Sequence, residues 1–343
     1  MVKSDLNDAA WYRDRYVSSS VIRALYTYLQ QQTEETHPAL LALGLSDHEL
    51  NDSGFRYRAP LYFELMDLGE RLLNDASFGF HYGQCAEANR WGVMGYILSV
   101  SDNLREVIAT QLKLQALVGN IGCTVVHEEG ERRAIEWYTD GLPNRHVAEE
   151  ALTGWICFAR RIVKAELRPL EIHFRHEQHG LGAEYESFFA CPVKFGQAMN
   201  AVIFDDSLFQ TPLKQPDRHM FELLQNHAGA MLQESGDDNL KQQLRAYLIR
   251  ELPREVPTID RIATKFQTSV RTLQRRFESW GTNYKQFVDL TRKELALHYL
   301  SSGGENLLEL TFMLGFSEQS AFQRAFKRWT GKSPRKYRAE VMR

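Results

Sequence analysis

Two clusters of hydrogen-bond donors stand near the C-terminus of this 343-residue chain. Ser269, Arg271, Thr272, Gln274 and Arg275 form the first; Gln319, Ser320, Gln323, Arg324 and Lys327 form the second, and Lys332 follows. Arg and Gln offer donor groups that match the acceptors of base edges, Ser and Thr hydroxyls adapt to several bases, and Arg or Lys neutralises phosphates. The expected division is base reading by Ser269, Arg271, Thr272, Gln319, Ser320 and Gln323, with phosphate contacts from Arg275, Arg324, Lys327 and Lys332. Arg276 and Arg328 fit equally well as solvated side chains or as partners of nearby acids. Glu318 could accept from a cytosine amine; the preferred role is that of an acid stabilising a helix N-terminus.

These side chains need helices to aim them. Thr258, after Pro257, is a good N-cap because its hydroxyl can accept from an unpaired first-turn amide. Ile259, Ile262, Ala263 and Phe266 then recur at helical spacing. Gln267-Thr268 break the pattern, and Ser269 caps a second helix with Val270, Leu273, Phe277 and Trp280 as its apolar stripe. The donors occupy the opposite face. Two short helices joined by a tight turn make a helix-turn-helix, whose second helix enters a major groove. The plan then repeats: Leu273, Arg275, Phe277 and Trp280 fall on Phe322, Arg324, Phe326 and Trp329 at one constant offset. Before the second copy, Leu307, Leu308, Leu310, Thr311 and Leu314 predict a short helix, Gly315-Phe316 a turn, and Ser317 the cap of the next helix. Phe277, Phe326, Trp280 and Trp329 are expected in the core. Between the copies, Tyr284 to Leu300 reads as one helix with Phe287, Leu290, Leu295, Leu297 and Leu300 as its apolar positions. Such a rod would set two reading heads in successive major-groove segments, roughly 34 Å apart.

These residues carry a resemblance. Ile262-Ala263, Ser269-x-Arg271-Thr272-Leu273-x-Arg275-x-Phe277, Gly315-Phe316, Ser320-x-Phe322-x-Arg324-x-Phe326-Lys327 and Gly331-x-Ser333-Pro334-x-x-Tyr337-Arg338 resemble the DNA-binding domain of the AraC/XylS transcriptional regulators. One departure is Thr311, where that family usually has alanine at the helix crossing; a small repacking cost is expected and no loss of fold.

The net charge of −3 conceals an asymmetry. From Lys241 onward, basic residues outnumber acidic ones about two to one, which is the electrostatic footprint of a polyanion partner. The preceding residues are acidic, and DNA would repel them. Cys85, Cys123, Cys157 and Cys191 lie far apart with no Cys-x-x-Cys pair, so structural zinc and redox motifs find no support, and buried reduced thiols are expected. The N-terminus, Met1-Val2-Lys3-Ser4-Asp5, leads into polar residues, and no secretory signal is expected. The apolar runs Ala39 to Leu45 and Val93 to Val100 are too short to span a bilayer.

The first two-thirds of the chain read as helices followed by strands. Helices are expected after Ser20, from Pro60, and from Asp102-Asn103. Cys123 to His127 and Arg133 to Tyr138 should flank a hairpin turn at Glu128 to Glu131. Pro143 to Leu167 fits a long helix; Leu170 to His176, Pro192 to Phe195 and Ala201 to Phe204 fit strands; Arg218 to Gln233 fits a closing helix. The fold expected is an α+β N-terminal domain, helices on a sheet of roughly five strands, followed by an all-α C-terminal domain with two helix-turn-helix units joined by a long helix. The polar stretch Glu234 to Asn239 is the expected linker, dividing residues 1–234 from residues 235–343.

The N-terminal part carries a second resemblance. Gly92-x-x-Gly95-Tyr96, Leu104-Arg105-Glu106, Tyr185-x-x-Phe188-x-x-Cys191-Pro192-Val193-x-Phe195, Asn200 and Pro212-Leu213 are similar to the arabinose-binding-type effector domain of regulators like those of ornithine and arginine catabolism. Arabinose itself is not thereby implied. Of the aromatics here, Trp91, Tyr96, Trp137, Tyr138, Trp155, Tyr185 and Phe188, most belong to the core. The expected effector pocket draws on Trp91, Tyr96, Trp137 and Tyr185, with Arg145 and His146 as polar contacts. His173, His176 and His179 do not make a metal site, because on a strand the first two point to opposite faces. Gly180-x-Gly182 lacks the third glycine and the context of a dinucleotide site. No protease, nucleophile-elbow or phosphate-loop motif occurs. No cofactor and no catalysis are expected.

The function expected is a sequence-specific DNA-binding transcription regulator whose N-terminal domain senses a small molecule, pairs with a second copy, or both. Two rivals stay open: a metabolite-modifying enzyme fused to a DNA-binding module, and an N-terminal domain that only dimerises. The expected partners are double-stranded operator DNA, a second copy of the chain and an unidentified effector, with RNA polymerase as a further candidate and no membrane. The expected location is the bacterial cytoplasm, on the nucleoid when bound to DNA.

Overall fold

The computed structural model describes residues 15–33, 37–139, 144–180, 182–234, 237–266, 268–302 and 306–341. These divide into two compact units. One holds the described residues through Asn239 except Thr139 and 196–198; the other holds those together with Leu240 onward.

In the first unit, β1 (Tyr16–Ser18) runs into α1 (Ser19–Gln32). The short helices α2 (Pro38–Leu41) and α3 (Asp47–Asn51) follow, and β2 (Arg56–Arg58) pairs antiparallel with β1. This two-stranded sheet was not expected; strands of three residues leave no periodicity to read. Helix α4 (Ala59–Leu73) has Pro60 in its first turn, where a missing amide is harmless. Then come α5 (Phe78–Gly83), α6 (Gly92–Ser99) and α7 (Leu104–Leu114). The side chain of Asn103 caps α7, accepting from the Glu106 amide at 3.0 Å.

The second sheet is made of β3 (Cys123–Glu129), β4 (Arg132–Tyr138), β5 (Glu171–His173), β6 (Val193–Lys194) and β7 (Ala201–Asp205). Its order is β3-β4-β7-β5-β6, with β5 and β6 parallel and the other neighbours antiparallel. The β3–β4 register pairs Glu129 with Arg132, so the turn is Gly130-Glu131 and not the four residues expected. Gly130, at φ +61°, supplies the left-handed backbone that closes so short a loop. Helix α8 (Arg145–Ile162) is shorter than the expected Pro143–Leu167; Pro143 lies outside the described residues, and Val163 turns extended to end the helix. Helix α9 (Gly182–Phe189) was not among the expected helices, and α10 (Arg218–Glu234) completes the unit. Ile135, Val202 and Phe204 of the sheet pack with Leu98, Leu104, Val107, Leu152 and Ile156 of α6, α7 and α8 in one core.

That core encloses charge. Arg90 is 2% exposed; it donates to Glu150 Oε1 at 2.8 Å and to the Tyr82 carbonyl at 3.0 Å, and lies 4.0 Å from the Tyr82 ring centroid. Tyr62 donates to the other oxygen of Glu150 at 3.1 Å. Elsewhere, His81 of α5 holds Asp75 at 2.7 Å through Nδ1 and Glu184 of α9 at 2.8 Å through Nε2.

The second unit is helical: α11 (Asp237–Glu251), α12 (Ile259–Lys265), α13 (Val270–Ser279), α14 (Tyr284–Ser302), α15 (Leu307–Met313), α16 (Gln319–Thr330) and α17 (Pro334–Val341). The expected linker is largely helical: α10 reaches Glu234 and α11 begins at Asp237, while Ser235 and Gly236 lie outside the described residues. A polar run without proline does not prevent a helix. Leu290 is 51% exposed, contrary to expectation, and Val288 is buried in its place; the buried stripe of α14 is set by contact with two helix-turn-helix units, so it departs from a single 3.6 period.

Two predictions follow from the buried charges. Arg90→Ala should destabilise the protein by about 3–5 kcal/mol in urea unfolding, because Glu150 would be left charged and buried without its partner. For His81, burial opposes the charge, but hydrogen bonds to Asp75 and Glu184 outweigh it and raise the pKa above the ordinary histidine value. A raised folded-state pKa gives stability that is complete below the unfolded value and is lost as pH rises through the folded one. Unfolding midpoints should therefore fall on the alkaline side of the ordinary histidine range, and His81→Gln should flatten that limb.

Candidate nucleic-acid interface and ligand cavity

Helices α12 and α13 form the first helix-turn-helix. Thr258 caps α12, its hydroxyl accepting from the Arg261 amide at 3.2 Å. Ser269 caps α13, accepting from the Thr272 amide at 3.1 Å, and the two hydroxyls are 2.8 Å apart. Leu273 and Phe277 are buried, which turns Arg271, Gln274 and Arg275 to solvent. Gln267, the expected pattern break, lies outside the described residues; the Thr268 amide closes the turn onto the Ala263 carbonyl at 2.9 Å.

Helices α15 and α16 repeat the arrangement. Phe322 and Phe326 are fully buried, and Ser320, Gln323, Arg324 and Lys327 are exposed, with Gln319 half-buried. Phe316 closes the turn onto Thr311, as Thr268 does onto Ala263. Thr311 thus occupies the position of Ala263; it is fully buried, and its hydroxyl donates to the Leu307 carbonyl at 2.7 Å, so the extra polar atom is satisfied inside its own helix. The N-cap of α16 is Glu318, not Ser317, and its side chain makes no capping bond. The buried Phe322 and Phe326 fix the start of the helix, and Ser317 falls one residue too early. Glu318 instead accepts from the Ser320 hydroxyl at 3.2 Å. Trp280 and Trp329 are half-buried against Phe287 and Phe316 respectively.

Among the described residues, no acid pairs with Arg271, Arg275, Arg324 or Lys327. Lys332 differs, since its ammonium is paired with Glu340, which competes with a phosphate role. Arg328 binds Asp289 at 2.9 Å. Arg292 of α14 donates to the carbonyls of Leu314 and Gly315, each at 2.8 Å, and its guanidinium sits 4.3 Å from the Phe316 ring centroid. Gly315 has φ +70°, and a Cβ there would lie 2.6 Å from the Leu252 carbonyl oxygen.

The first unit holds a cavity in two chambers. One is walled by apolar side chains of α6, α7, α8 and the sheet, among them Met94, Val107, Ile108, Ile135 and Ala159. The other is lined by Tyr62, Gln115, Thr124, Trp137 and Glu150 among others. Trp91, Met94, Gln111 and Trp155 line both. Of the expected pocket residues, Trp91 and Trp137 are therefore at the cavity, and Trp155 joins them. The other four are elsewhere. Tyr96 is 50% exposed, because the buried face of α6 belongs to Met94, Ile97 and Leu98. Arg145 donates to Glu70 at 2.7 Å, His146 Nε2 holds the same carboxylate at 2.9 Å, and Tyr185 donates to Glu149 at 3.0 Å. Burial and Glu149 push the Tyr185 hydroxyl well above the ordinary phenol range, so it stays a donor. These polar side chains are spent on one another. Gln111, Gln115 and Glu150 were not singled out in the sequence; a lone glutamine or glutamate on an apolar helix carries no motif.

His173 holds Glu171 at 2.8 Å, and His176 Nδ1 donates to the Glu177 carbonyl at 2.8 Å. No cluster fit to hold a metal occurs among the described residues, and none of their helices is long and apolar enough to cross a membrane. Cys85 is exposed, contrary to the expected burial, and Cys123 is buried.

Comparison with known proteins adds the following. The family described as "Arabinose-binding domain of AraC transcription regulator, N-term" matches residues 35–213. A helix-turn-helix domain family matches residues 262–340. The ornithine utilization regulator of Pseudomonas aeruginosa is 28% identical over 273 residues, covering 78% of this chain and 80% of its own. The HTH-type transcriptional regulator VirS of Mycobacterium tuberculosis is 31% identical over 166 residues, 48% of each chain. Among solved structures, the transcriptional regulator CdpR of Pseudomonas aeruginosa aligns over 93% of this chain and 98% of its own, at 22% identity and a TM-score of 0.41.

Gly315→Ala tests the second turn. The left-handed backbone and the Leu252 carbonyl together should make it destabilising by about 1–3 kcal/mol, read as a lowered urea midpoint; an unchanged midpoint would refute the constraint.

Proposed function

The chain belongs to the AraC family of transcription regulators, with an effector-binding N-terminal domain and a helix-turn-helix DNA-binding domain, and we propose that its two recognition helices divide the reading of one operator. In this reading residues 235–343 are the DNA-binding domain and residues 1–234 the effector and dimerisation domain. Helices α13 and α16 enter successive major-groove segments. Arg271 and Thr272, with Ser269 at the helix start, address bases in one; Gln319, Ser320 and Gln323 address bases in the other. Arg275, Arg324 and Lys327 neutralise phosphates, with Lys332 joining them if it leaves Glu340. The observation that carries this assignment is that Arg271, Arg275, Arg324 and Lys327 are exposed on the repeated face with no acid partner among the described residues. Unpaired donors on a basic surface await acceptors from outside the chain.

In this reading the protein acts without catalysis, in the cytoplasm, as a homodimer that responds to a small molecule, with RNA polymerase as a further candidate partner. The two-chamber cavity supports sensing over a domain that only dimerises.

Arg271→Ala should weaken operator binding by about 1–3 kcal/mol and relax the preference at one base position, with little change on unrelated DNA. Arg324→Ala should weaken both DNAs alike and reduce the salt dependence by about one counterion. Fluorescence anisotropy on operator and scrambled duplexes measures both; an equal loss on scrambled DNA for Arg271→Ala would refute base reading.

A further inference from the structure

The walls of the cavity are chemically unequal, and the inequality specifies a ligand. The first chamber is apolar except for Gln111 at its junction with the other. A sugar or an amino acid placed there would leave its polar groups without partners, at a cost of several kcal/mol each. The second chamber is lined by the polar side chains of Tyr62, Gln111, Gln115, Thr124 and Glu150; of these, Gln115 already accepts from the Thr124 amide at 2.7 Å and donates to the Leu112 carbonyl at 3.3 Å. Among the described residues that line either chamber there is no lysine, arginine or histidine. The one charged lining residue, Glu150, already has Arg90 at 2.8 Å and the Tyr62 hydroxyl at 3.1 Å. A carboxylate or phosphate head would be buried beside this carboxylate with no cation of its own, and an ammonium head would compete with Arg90 for the single acid.

We propose that the cavity binds an amphipathic molecule with an apolar body and an uncharged, hydrogen-bonding head, such as an alcohol or an amide. The body fills the apolar chamber against Val107, Ile108 and Ala159, and the head reaches past Trp91 and Trp155 to Gln111. Gln111 donates to Thr124 at 3.0 Å, which orients the carboxamide at the junction. This assignment deepens the sensing role proposed above and rests on the cavity being the effector site.

The test is a titration of the full-length protein with decanol, decanamide, decanoate, decylammonium and ornithine, followed by tryptophan emission, since three of the six tryptophans line the cavity. Decanol and decanamide should saturate the signal, with decanoate and decylammonium weaker by about tenfold or more. Ala159→Leu, which fills the apolar chamber, should weaken decanol binding while urea unfolding reports the variant folded. Equal or tighter binding of decanoate, decylammonium or ornithine would overturn the assignment, as would decanol binding that Ala159→Leu leaves unchanged, or no binding by any decyl compound. The wild-type comparison decides the head group even if the variant does not fold. Operator affinity measured in parallel separates the two ideas: decanol binding that leaves operator affinity unchanged would sink the sensing role and leave the ligand class standing.

Discussion

The guanidinium of Arg292 is the interaction on which the DNA-binding unit depends. It meets the carbonyls of Leu314 and Gly315 in the turn that follows α15, acceptors that the turn itself leaves for a side chain to satisfy. It also lies against Phe316, the residue that closes the turn. Burial pulls its pKa below the ordinary arginine value, yet five donors in a fixed fork suit this site as no lysine would. Arg292 belongs to α14, and so does Phe287, which packs against Phe277 and Trp280 of the first helix-turn-helix. One helix therefore anchors both heads, and their spacing is a property of a rod and not of a linker. The Arg245–Glu294 pair, 2.8 Å apart and largely shielded from water, ties α11 to the same rod.

The N-terminal unit uses buried charge differently. Helix α8 is polar along its first half, where His146, Glu149 and Glu150 are all buried, and apolar along its second, where Trp155, Ile156 and Ala159 face the cavity. Each acid has a partner on another element: Glu150 on Arg90 and Tyr62, Glu149 on Tyr185. Such pairs add little net stability over apolar packing, but they admit few alternative registers. The polar half locks α8 in rotation and depth; the apolar half is thereby held open as a wall. The residues that attract attention as ligand contacts, Arg145 and His146, serve this lock.

The DNA-binding unit was legible in the sequence because its signals are local and repeated: caps, a helical stripe, and donors on the opposite face. Where that reading slipped, the cause was one of register or of distant packing. Ser317 is a better cap by residue type than Glu318, but Phe322 and Phe326 decide where α16 starts. Leu290 looks like core by type and is exposed because two partners share the remaining faces of α14. In the N-terminal unit the five longest helices and the strands of the five-stranded sheet could be anticipated, and the residue pairing across α4, α5, α8 and α9 could not, since Glu70, Glu149 and Glu184 find His146, Tyr185 and His81 only after the chain has folded. The cavity belongs to the same class: Trp91 and Trp137 could be suspected by type, but which aromatic faces a void depends on every neighbour.

The two heads are copies with a difference. Four residues separate α12 from α13, and five separate α15 from α16; the first recognition helix starts from a serine that caps it, and the second from a glutamate that does not. Two unlike readers fixed in tandem on one rod give a single chain a front and a back. Under the proposed division of base reading, a duplex bound by it is read with a direction, so reversing the site would present each head with the other's bases. Operators for such a protein need no internal two-fold symmetry, and a promoter could be marked by orientation as well as by sequence.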